Sequence, residues 1–436
     1  MILENKNKSI ATYTLGCKVN QYDTEAVTEL FTNRGYHSVS FDTVADVYIV
    51  NTCTVTHLSD RKCRQMLRKT KKINPDSILV AMGCYAQSAK EKLIDEVPEI
   101  DIVIGTNKRS ELVNIVEEYN STAIFRLNDL ETVDEFEEMT LSSANSKTRA
   151  HIKIQEGCNN YCAYCIIPYV RGKIRSRQPE NVILEAIRLQ KAGFKEIVLT
   201  GIHVQSYGKD LEGVNLLTLL PELNKIDGIE RIRLSSIEPT LITDEFIDTI
   251  SNLPKLCHHF HLSLQSGCDV ILKRMGRKYN TQQYIYSVDK LRSLWPDVAI
   301  TTDIIVGFPG ESETDFTKTV NFVKEIGFAS MHIFPFSSRT GTRAATMSNQ
   351  ISANIKEDRV KVLTELADKM HNQFLQNMCN TTTNVLFEQS NNAEFIGYTS
   401  NYAKVSVKSD VDLTNKIVNV NLKEIQSNKL IGTIVE

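Results

Sequence analysis

The stretch Gly157-Cys158-Asn159-Asn160-Tyr161-Cys162-Ala163-Tyr164-Cys165 places three cysteines at CxxxCxxC spacing in one Gly/Asn-rich loop, directly after the strand-like segment His151 to Ile154. Three thiolates from one loop can hold three irons of a four-iron cluster and leave the fourth iron open to an exchangeable ligand. The alternative is a structural zinc, which needs a fourth ligand. No CxxC or HxxxH partner lies at zinc spacing, so the pattern favours a reactive iron-sulfur centre.

This loop opens a long region in which predicted strands and helices alternate six times. The predicted strands are His151 to Ile154, Glu196 to Leu199, Arg231 to Ser235, His259 to Leu264, Ala299 to Val306 and Ser330 to Phe334. The predicted helices are Glu180 to Lys191, Leu216 to Leu223, Asp244 to Ser251, Gln282 to Leu294, Ser312 to Ile326 and Asn354 to Asn377. Six strand-helix units predict a partial (β/α)6 barrel over residues 149–378, with functional groups in the loops at the carboxyl ends of its strands.

Four of those loops carry glycines and polar residues suited to a ligand. They read Thr200-Gly201-Ile202-His203, Ser235-Ser236-Ile237-Glu238-Pro239, Ser263-Leu264-Gln265-Ser266-Gly267 and Val306-Gly307-Phe308-Pro309-Gly310-Glu311. Glycine lets the backbone approach a ligand closely, and polar side chains can orient an amino acid or a ribose. Each loop alone has ordinary turn composition. Beside the cysteine loop, the four together predict a binding pocket.

Residues 1–127 form a predicted first domain in which strands and helices again alternate. The segments are Ile10 to Leu15, Asp23 to Asn33, Val47 to Val50, Ser59 to Lys72, Ile78 to Met82 and Ile102 to Ile104. This alternation predicts an open α/β domain with a parallel sheet. Three of its strands run into a cysteine, at Cys17, Cys53 and Cys84. Because the carboxyl ends of parallel strands share one sheet edge, these thiolates can converge on a second metal centre; the alternative is small buried packing residues.

The other four cysteines show no such pattern. Cys63 lies in a basic, helix-like run whose charges would lower its pKa, but a helix interior directs it away from the strand ends. It is interpreted as an incidental helix residue rather than a reactive thiol. Cys257, Cys268 and Cys379 are isolated and are interpreted as packing residues. The run Cys257-His258-His259-Phe260-His261 is interpreted as a packed barrel strand, since alternate residues of a strand face opposite sides.

Two further segments complete the predicted organisation. Residues 128–148 are acidic and then rich in Ser and Asn, which is typical of a linker or a loosely docked segment. Residues 379–436 predict a small antiparallel β barrel. Its predicted strands are Val385 to Glu388, Phe395 to Thr399, Lys404 to Val407, Ile417 to Leu422 and Leu430 to Val435. Barrels of this size often bind oligonucleotides, and a structural cap is the alternative.

The composition of the 436-residue chain, 42% hydrophobic and 24% charged, suits about three globular domains. The chain has no run of eighteen apolar residues, and its first residues lack the apolar core and cleavage site of a signal peptide. A cytoplasmic protein that does not enter membranes is expected. Ten cysteines in a reducing compartment are better explained as metal ligands or catalytic thiols than as disulfides.

A net charge of -3 argues against indiscriminate nucleic-acid binding by bulk charge, but basic patches are present. The first consists of Arg61, Lys62, Arg64, Arg68, Lys69, Lys71 and Lys72. The other two are Arg171, Lys173, Arg175 and Arg177, and Lys273, Arg274, Arg277 and Lys278. These two follow the cysteine loop and the fourth barrel strand, so they are expected to hold an RNA backbone on the active-site face. The first patch is equally well a solvated helix face.

The CxxxCxxC loop resembles the signature of radical S-adenosylmethionine (SAM) enzymes. Together with a cysteine triad on an α/β domain and a small C-terminal β barrel, it makes nearly the whole chain resemble the methylthiotransferases. Thr14-Leu15-Gly16-Cys17-Lys18-Val19-Asn20-Gln21, Asn51-Thr52-Cys53-Thr54-Val55-Thr56 and Gln155-Glu156-Gly157-Cys158-Asn159-Asn160 are most similar to the branch that converts N6-threonylcarbamoyladenosine at position 37 of tRNA to its 2-methylthio derivative. The sister branches, which act on N6-isopentenyladenosine in tRNA or on an aspartate of a ribosomal protein, remain alternatives.

The resemblance also implies cofactors and residue roles. A four-iron cluster that cleaves SAM, giving the radical that takes hydrogen from C2 of adenine, would be held by Cys158, Cys162 and Cys165. An auxiliary four-iron cluster, whose open iron carries the sulfur to be inserted, would be held by Cys17, Cys53 and Cys84. One SAM would methylate that sulfur, and a second would supply the radical. The SAM pocket would use Tyr164, Gly201, Ser235, Glu238, Gln265 and Gly307.

The implied partners are the anticodon loop of tRNA, an electron donor such as flavodoxin or ferredoxin, and a sulfur source. The C-terminal barrel resembles the TRAM domain that binds tRNA in this family, although its near-neutral charge argues against a dominant electrostatic role. An arginine is expected to bind the threonylcarbamoyl carboxylate, but no motif identifies it. A rival from another class is a non-catalytic iron-sulfur RNA-binding redox sensor, which would have no use for the SAM-shaped loops.

Overall fold

The computed structural model describes residues 8–141, 148–391 and 393–435. The strands of its N-terminal domain are β1 (Ser9–Thr14), β2 (His37–Val39), β3 (Val47–Thr52), β4 (Ile78–Gly83), β5 (Ile102–Ile104) and β6 (Ile124–Arg126). The helices are α1 (Lys18–Asn33), α2 (His57–Ile73), α3 (Cys84–Ala89), α4 (Lys92–Glu96) and α5 (Leu112–Glu117). The strands form one parallel sheet in the order β2-β1-β3-β4-β5-β6, which confirms the predicted open α/β fold.

The sequences of β3 and α2 explain their places in this domain. All six residues of β3 are buried, as expected for a parallel strand covered on both faces. Helix α2 begins after Thr56, whose side chain accepts a hydrogen bond from the backbone N–H of Ser59 at 3.1 Å. Its buried residues include Cys63 and Leu67, four positions apart, so one face packs on the sheet while most of its basic residues remain outside.

The central region contains the strands β7 (Arg149–Glu156), β8 (Arg175–Ser176), β9 (Glu196–Gly201), β10 (Arg231–Leu234), β11 (His259–His261), β12 (Ala299–Val306) and β13 (Ser330–Pro335). Its helices are α6 (Ile167–Arg171), α7 (Pro179–Lys191), α8 (Leu216–Asn224), α9 (Asp244–Ser251), α10 (Asp269–Met275), α11 (Thr281–Leu294), α12 (Glu313–Ile326) and α13 (Ala353–Met378). The strands pair as β10-β9-β7-β8 and β11-β12-β13.

Single parallel bridges, such as Ile237 with Leu262, join the two groups of central strands. Six strands therefore run parallel in chain order around a partial barrel, which confirms the predicted (β/α)6 architecture. The remaining central strand, β8, lies outside this parallel series and pairs antiparallel with the end of β7. It returns the chain after the cysteine loop, and its two residues are too few to give a sequence pattern.

Helix α13 connects the central barrel to the C-terminal one. It contacts β13, and its buried Leu375 belongs to the core of the C-terminal barrel. At 26 residues it is the longest helix in the described part of the chain, but it is rich in charged residues. Among the helices that the structure describes, none combines the length and the apolar character needed to cross a bilayer.

The C-terminal strands are β14 (Thr382–Asn391), β15 (Glu394–Thr399), β16 (Lys404–Lys408), β17 (Ile417–Gln426) and β18 (Lys429–Ile434). They close a five-stranded barrel in the order β14-β15-β16-β18-β17. The barrel is antiparallel as predicted, except that β16 and β18 run parallel. Val385, Phe387, Val405, Val420 and Leu422 fill its core.

The first part of residues 128–148 is docked firmly, in contrast to the loose segment expected from its composition. Glu137 pairs with Arg109 at 3.0 Å, and Glu138 pairs with Arg177 at 2.8 Å. Met139 is buried in the main core. The acidic residues therefore neutralise buried arginines, a role that composition alone does not reveal. Residues 142–147 of this predicted linker lie outside the described residues.

Candidate active site

A cavity of about 450 Å³ lies between the N-terminal domain and the carboxyl ends of the central strands. Cysteines from both triads line it, namely Cys17, Cys53, Cys84 and Cys165. Much of the remaining wall is apolar and comes from Ile166, Ile167, Ile202, Ile305, Phe334 and Phe336. Its volume is typical of small-molecule sites, and its apolar wall limits the access of water.

The first triad stands at the ends of three neighbouring strands. Cys17 precedes α1 and is exposed, Cys53 follows β3, and Cys84 begins α3. Burial raises the pKa of the Cys53 thiol, and it raises that of Cys84 to about 12. Thiolates at such positions need a metal or a nearby cation to compensate their charge.

Asn20 and Cys63 support the backbone of this triad. The side-chain amide of Asn20 donates to the carbonyl oxygens of Leu15 at 2.7 Å and Thr52 at 3.1 Å, which ties two of the strand-end loops together. The backbone N–H of Cys53 donates to the Cys63 sulfur at 3.3 Å. Burial raises the pKa of Cys63 to about 12. Cys63 is therefore more than the incidental helix residue that the sequence predicts, because its protonated thiol accepts a hydrogen bond from the backbone of Cys53.

The second triad lies in the loop between β7 and α6. Hydrogen bonds fix this loop: the N–H of Cys158 donates to the Gly172 carbonyl at 3.0 Å, and the N–H of Ala163 donates to the last carbonyl of α10 at 2.7 Å. Cys165 lines the cavity, while Cys158 and Cys162 stand outside its wall. Burial raises the pKa of Cys158, and it raises that of Cys165 to about 12.

One guanidinium reaches each triad. Arg171 Nε donates to Cys84 Sγ at 3.2 Å, and Arg277 Nη1 donates to Cys162 Sγ at 3.3 Å. Arg277 also pairs with Glu238, with 2.8 Å between Nη2 and Oε1. Arginine stays charged when buried, so each guanidinium can offset the negative charge of bound thiolates. Soft sulfur donors with a fixed cation beside them fit two iron-sulfur clusters.

Within residues 8–141, 148–391 and 393–435, no three His, Cys, Asp or Glu side chains converge as ligands of a single metal ion would. The cysteines of a four-iron cluster each bind a different iron, whereas the ligands of a zinc site all bind one ion.

Two of the six SAM-pocket candidates line the cavity. Tyr164 and Gln265 are part of its wall. The hydroxyl of Tyr164 lies 3.5 Å from Arg277 Nη1, which joins it to the second triad. Ser235 is buried at the end of β10, and its hydroxyl has no hydrogen-bond partner among the described residues.

Gly201, Glu238 and Gly307, like Ser235, stand outside the wall. Glu238 accepts a hydrogen bond from Asn160 at 3.2 Å and lies 3.4 Å from His203. Burial alone would raise the pKa of Glu238, but His203 and the nearby Arg277 charge lower it overall. Gly201 ends β9. Gly307 has φ +69°, and its N–H donates to a glutamate four residues later at 2.5 Å, which commits it to its own turn.

Two family models match the chain: the radical SAM superfamily over residues 152–323, and the uncharacterized protein family UPF0004 over residues 9–105. The threonylcarbamoyladenosine tRNA methylthiotransferase MtaB of Bacillus subtilis (strain 168) is 42% identical over 422 residues, which cover 95% of this chain and 93% of that protein. The chain belongs to the radical SAM methylthiotransferase family. The tRNA-2-methylthio-N(6)-dimethylallyladenosine synthase of Clostridium novyi (strain NT) is 36% identical over 449 residues, which cover 100% of this chain and 99% of that protein.

Among solved structures, this methylthiotransferase is similar to the radical SAM methyltransferase TsrM of Kitasatospora setae. The TM-score is 0.57 at 13% identity, and the match covers 78% of this chain and 77% of that chain. At this identity the likeness concerns the fold alone. It agrees with an α/β domain placed on a radical SAM barrel.

The prediction that the arginines after the cysteine loop of the methylthiotransferase hold an RNA backbone is wrong. Arg171, Arg175 and Arg177 are buried and cannot contact an RNA backbone. Arg177, for instance, pairs with the buried Glu185 at 2.6 Å. Of the two patches on the active-site face, the exposed members are Lys173, Lys273, Arg274 and Lys278.

The sequence does not predict that Asn20, Arg171 and Arg277 contact the cysteines or their loops. Asn20 follows Cys17 by three residues and Arg171 follows Cys165 by six, so proximity to a ligand in sequence was the available signal. Arg277 lies more than 100 residues from its sulfur partner, and no local signal identifies it. The sequence predicts phosphate binding for Arg171 and Arg277, because clustered basic residues are usually exposed.

Gly16 provides a prediction about the first triad. It has φ +103°, and a Cβ added there would lie 2.9 Å from both Cβ and Sγ of Cys53. Gly16→Ala is expected to displace Cys53, destabilise the fold by about 1–2 kcal/mol and remove the iron held at that triad, measured as iron per chain after anaerobic reconstitution. Gly213→Ala is the control, since Gly213 has φ +69° with open space around it. Equal iron loss in both variants would contradict a clash with Cys53.

Proposed function

We propose that this methylthiotransferase converts N6-threonylcarbamoyladenosine at position 37 of tRNA to its 2-methylthio derivative. The observation that carries the proposal is one cavity lined by cysteines of both triads. A substrate atom bound between the triads can react with a radical formed at one triad and with sulfur held at the other. The substrate is that named for the Bacillus subtilis relative, at 42% identity. The dimethylallyl-type substrate of the Clostridium novyi relative is the alternative.

The proposed cofactors are SAM and two four-iron clusters, one for each triad. When bound, they supply a carbon radical and a sulfur for insertion at C2 of adenine. The ligands of the SAM-cleaving cluster are Cys158, Cys162 and Cys165, and those of the auxiliary cluster are Cys17, Cys53 and Cys84. The proposed SAM contacts are Tyr164, Gly201, Ser235, Glu238, Gln265 and Gly307. Tyr164 and Gln265 have the strongest support, since they line the cavity.

The chain's own residues shape the environment in which this chemistry takes place. Arg171 and Arg277 each donate a hydrogen bond to a cysteine sulfur, which fixes that ligand and offsets its charge. The isoleucine and phenylalanine wall excludes water, which protects a carbon radical from side reactions. Glu238 pairs with Nη2 of Arg277, while Nη1 of the same guanidinium donates to Cys162.

The proposal includes a domain organisation and partners. The domains are residues 1–127 for the auxiliary cluster, 128–148 as a connector, 149–378 for radical chemistry and 379–436 as a TRAM-like tRNA-binding barrel. The anticodon loop of tRNA is the macromolecular substrate, and this substrate assigns the protein to the cytoplasm. An electron donor such as flavodoxin or ferredoxin and a source of sulfur are required, because each turnover consumes both an electron and a sulfur atom.

Mass spectrometry of nucleosides from total tRNA tests the proposed function. Cells lacking the gene are expected to lose 2-methylthio-N6-threonylcarbamoyladenosine and to accumulate its unthiolated precursor. Complementation with the wild-type gene should restore the product, whereas Cys158→Ala should not. Unchanged levels of this nucleoside would overturn the substrate assignment. Loss of the 2-methylthio derivative of N6-isopentenyladenosine in the same data would instead support the alternative.

A further inference from the structure

The C-terminal barrel packs at the end of the central barrel that lies opposite the cavity. Arg149, the first residue of β7, pairs with Glu388 at 2.6 Å. Arg231, the first residue of β10, donates to the Tyr398 carbonyl oxygen at 2.8 Å. The cavity lies at the carboxyl ends of the central strands. An RNA that places one nucleotide in the cavity therefore needs a protein surface beside the cavity, in addition to any contact with the C-terminal barrel.

The opening of the cavity lies between the N-terminal domain and the end of β13. The exposed residues of the cavity wall are Gly16, Cys17, Val55, Phe334 and Pro335. Val55 belongs to the N-terminal domain and Phe334 to the central barrel, so each domain presents an apolar side chain at the opening. Apolar and aromatic side chains on both sides of an opening suit the faces of a planar base.

Helix α2 begins at this opening. Its N-cap, Thr56, and Ser59 in its first turn both line the cavity. Arg339, from the loop after β13, fixes this end of the helix: it donates to the Thr54 hydroxyl at 2.6 Å and pairs with Asp60 at 2.7 Å. The start of α2 is therefore held at the cavity, and its 17 residues extend from there for about 25 Å.

One face of α2 is buried and the opposite face is exposed. The buried residues are Asp60, Cys63, Leu67 and Thr70. The outer face of α2 consists of Leu58, Arg61, Lys62, Gln65, Lys69 and Lys72, which are exposed and recur with helical spacing. Asp60 is the only acidic residue of the helix, and Arg339 already pairs with it. The outer face therefore carries cations and no carboxylate.

Some of the cations of α2 are explained by the fold itself. Three have carboxylate partners, namely Glu96 for Arg64, Asp42 for Lys69 and Asp101 for Lys71. Lys72 lies in the last turn, where a cation complements the helix dipole. Arg61 and Lys62 have neither explanation. They are exposed near the start of the helix, and within the described ranges of the chain they make no ion pair.

We propose that the outer face of α2 binds the phosphate backbone of the anticodon loop next to the nucleotide that enters the cavity. Arg61 and Lys62 contact phosphates, and Leu58, which is 71% exposed, contacts a neighbouring ribose or base. The inference rests on the proposed function, because it takes tRNA as the substrate. Phosphate contacts supply affinity and orientation but carry no base information. Helix α2 therefore positions the RNA over the opening without reading the modification at position 37.

An acidic electron-donor protein is the other partner that a cationic face can bind. Such a protein would use the charges of α2, but it would leave the apolar residues Val55, Leu58 and Phe334 without a role. RNA uses both features, because it carries phosphates and planar bases on the same strand. The position of α2 also favours RNA, since the helix starts at the opening that the substrate must enter.

Equilibrium binding of anticodon stem-loop RNAs to the anaerobically reconstituted enzyme tests the proposal. The RNAs carry unmodified adenosine or N6-threonylcarbamoyladenosine at position 37, and affinity is measured at several salt concentrations. Arg61→Gln/Lys62→Gln is expected to weaken binding of both RNAs about tenfold and to lower the slope of log affinity against log salt by about one to two. Leu58→Ala should weaken binding about threefold with an unchanged slope, because an apolar contact releases no counterion.

Lys318→Gln/Lys324→Gln is the matched control, because it removes two exposed lysines from α12, on the outside of the central barrel. It should bind both RNAs like wild type. Iron per chain and the urea midpoint are measured in every variant, since α2 also contains Cys63. Both are expected to stay at wild-type values, because Arg61 and Lys62 are exposed and glutamine is also a good helix former.

Wild-type affinity and salt slope in Arg61→Gln/Lys62→Gln would overturn the inference. An equal loss of affinity in the control would also overturn it, because bulk charge would then explain the effect. Slower reduction of this variant by a flavodoxin, with RNA binding unchanged, would assign the face to an electron donor instead. A wild-type enzyme that binds both RNAs but forms no 2-methylthio product would refute the proposed function alone, since binding of the unmodified RNA is measured independently of it.

Discussion

Cys158→Ala is expected to abolish reductive cleavage of SAM, whereas Cys53→Ala should leave cleavage measurable and stop methylthiolation. The two residues belong to triads on different domains, each with its own arginine donor, so loss of one ligand set leaves the other in place. The readouts are 5′-deoxyadenosine formed under anaerobic, reducing conditions and 2-methylthio product formed on tRNA carrying N6-threonylcarbamoyladenosine. Cleavage in Cys158→Ala should fall to the assay background.

Cys379→Ala is the control for this pair, since Cys379 ends α13 far along the chain from both triads and is only partly buried. It should retain both activities. Equal loss of cleavage in Cys158→Ala and Cys53→Ala, with the barrel cluster still assembled in the second variant, would refute the division of labour. A wild-type enzyme that forms no 5′-deoxyadenosine would instead favour the non-catalytic redox sensor.

The elements that the sequence predicts best are those whose pattern is local. Strands β5 and β12 match their predicted bounds of Ile102 to Ile104 and Ala299 to Val306, and α9 matches Asp244 to Ser251. β-branched runs and amphipathic periods determine such segments without help from the rest of the chain. The cysteine positions work in the same way, because a residue that directly follows a parallel strand must lie at one known edge of the sheet.

Features that depend on distant partners could not be predicted in this way. The basic residues after the cysteine loop have the composition of a solvent-exposed patch, but Arg171 is fully buried because Glu156 and the distant Asp23 provide its counter-charges. Pairing between residues more than 100 positions apart is a tertiary property, and local composition does not encode it.

Asp23→Asn is expected to lower the free energy of unfolding by about 3–5 kcal/mol, because it removes one carboxylate from a buried network of charges. Asp23 contacts Lys153 at 2.6 Å, Arg171 at 3.4 Å and Arg109, and all four side chains are at most 2% exposed. The substitution preserves shape but leaves three buried cations to share Glu156 and Glu137. The measurement is urea denaturation of the anaerobically reconstituted enzyme.

Asp42→Asn makes the same chemical change at an exposed ion pair. Asp42, whose side chain is 71% exposed, pairs with Lys69. Exposed pairs of this kind contribute about 0–1 kcal/mol, so this control should unfold at nearly the wild-type urea concentration. A small, equal effect in both variants would show that the buried network does not hold the domains together.

The remaining carboxylate, Glu156, explains why the loss at Asp23 should be large. Burial alone would raise the pKa of Glu156, but Arg171, Lys153 and Arg109 hold it well below its usual range, so it is already fully ionised at neutral pH. It has no further negative charge to supply when Asp23 becomes neutral. The network also joins α1, which starts beside Cys17, to β7, which leads into the second triad. Weakening it should therefore loosen the two triads relative to each other as well as lower stability.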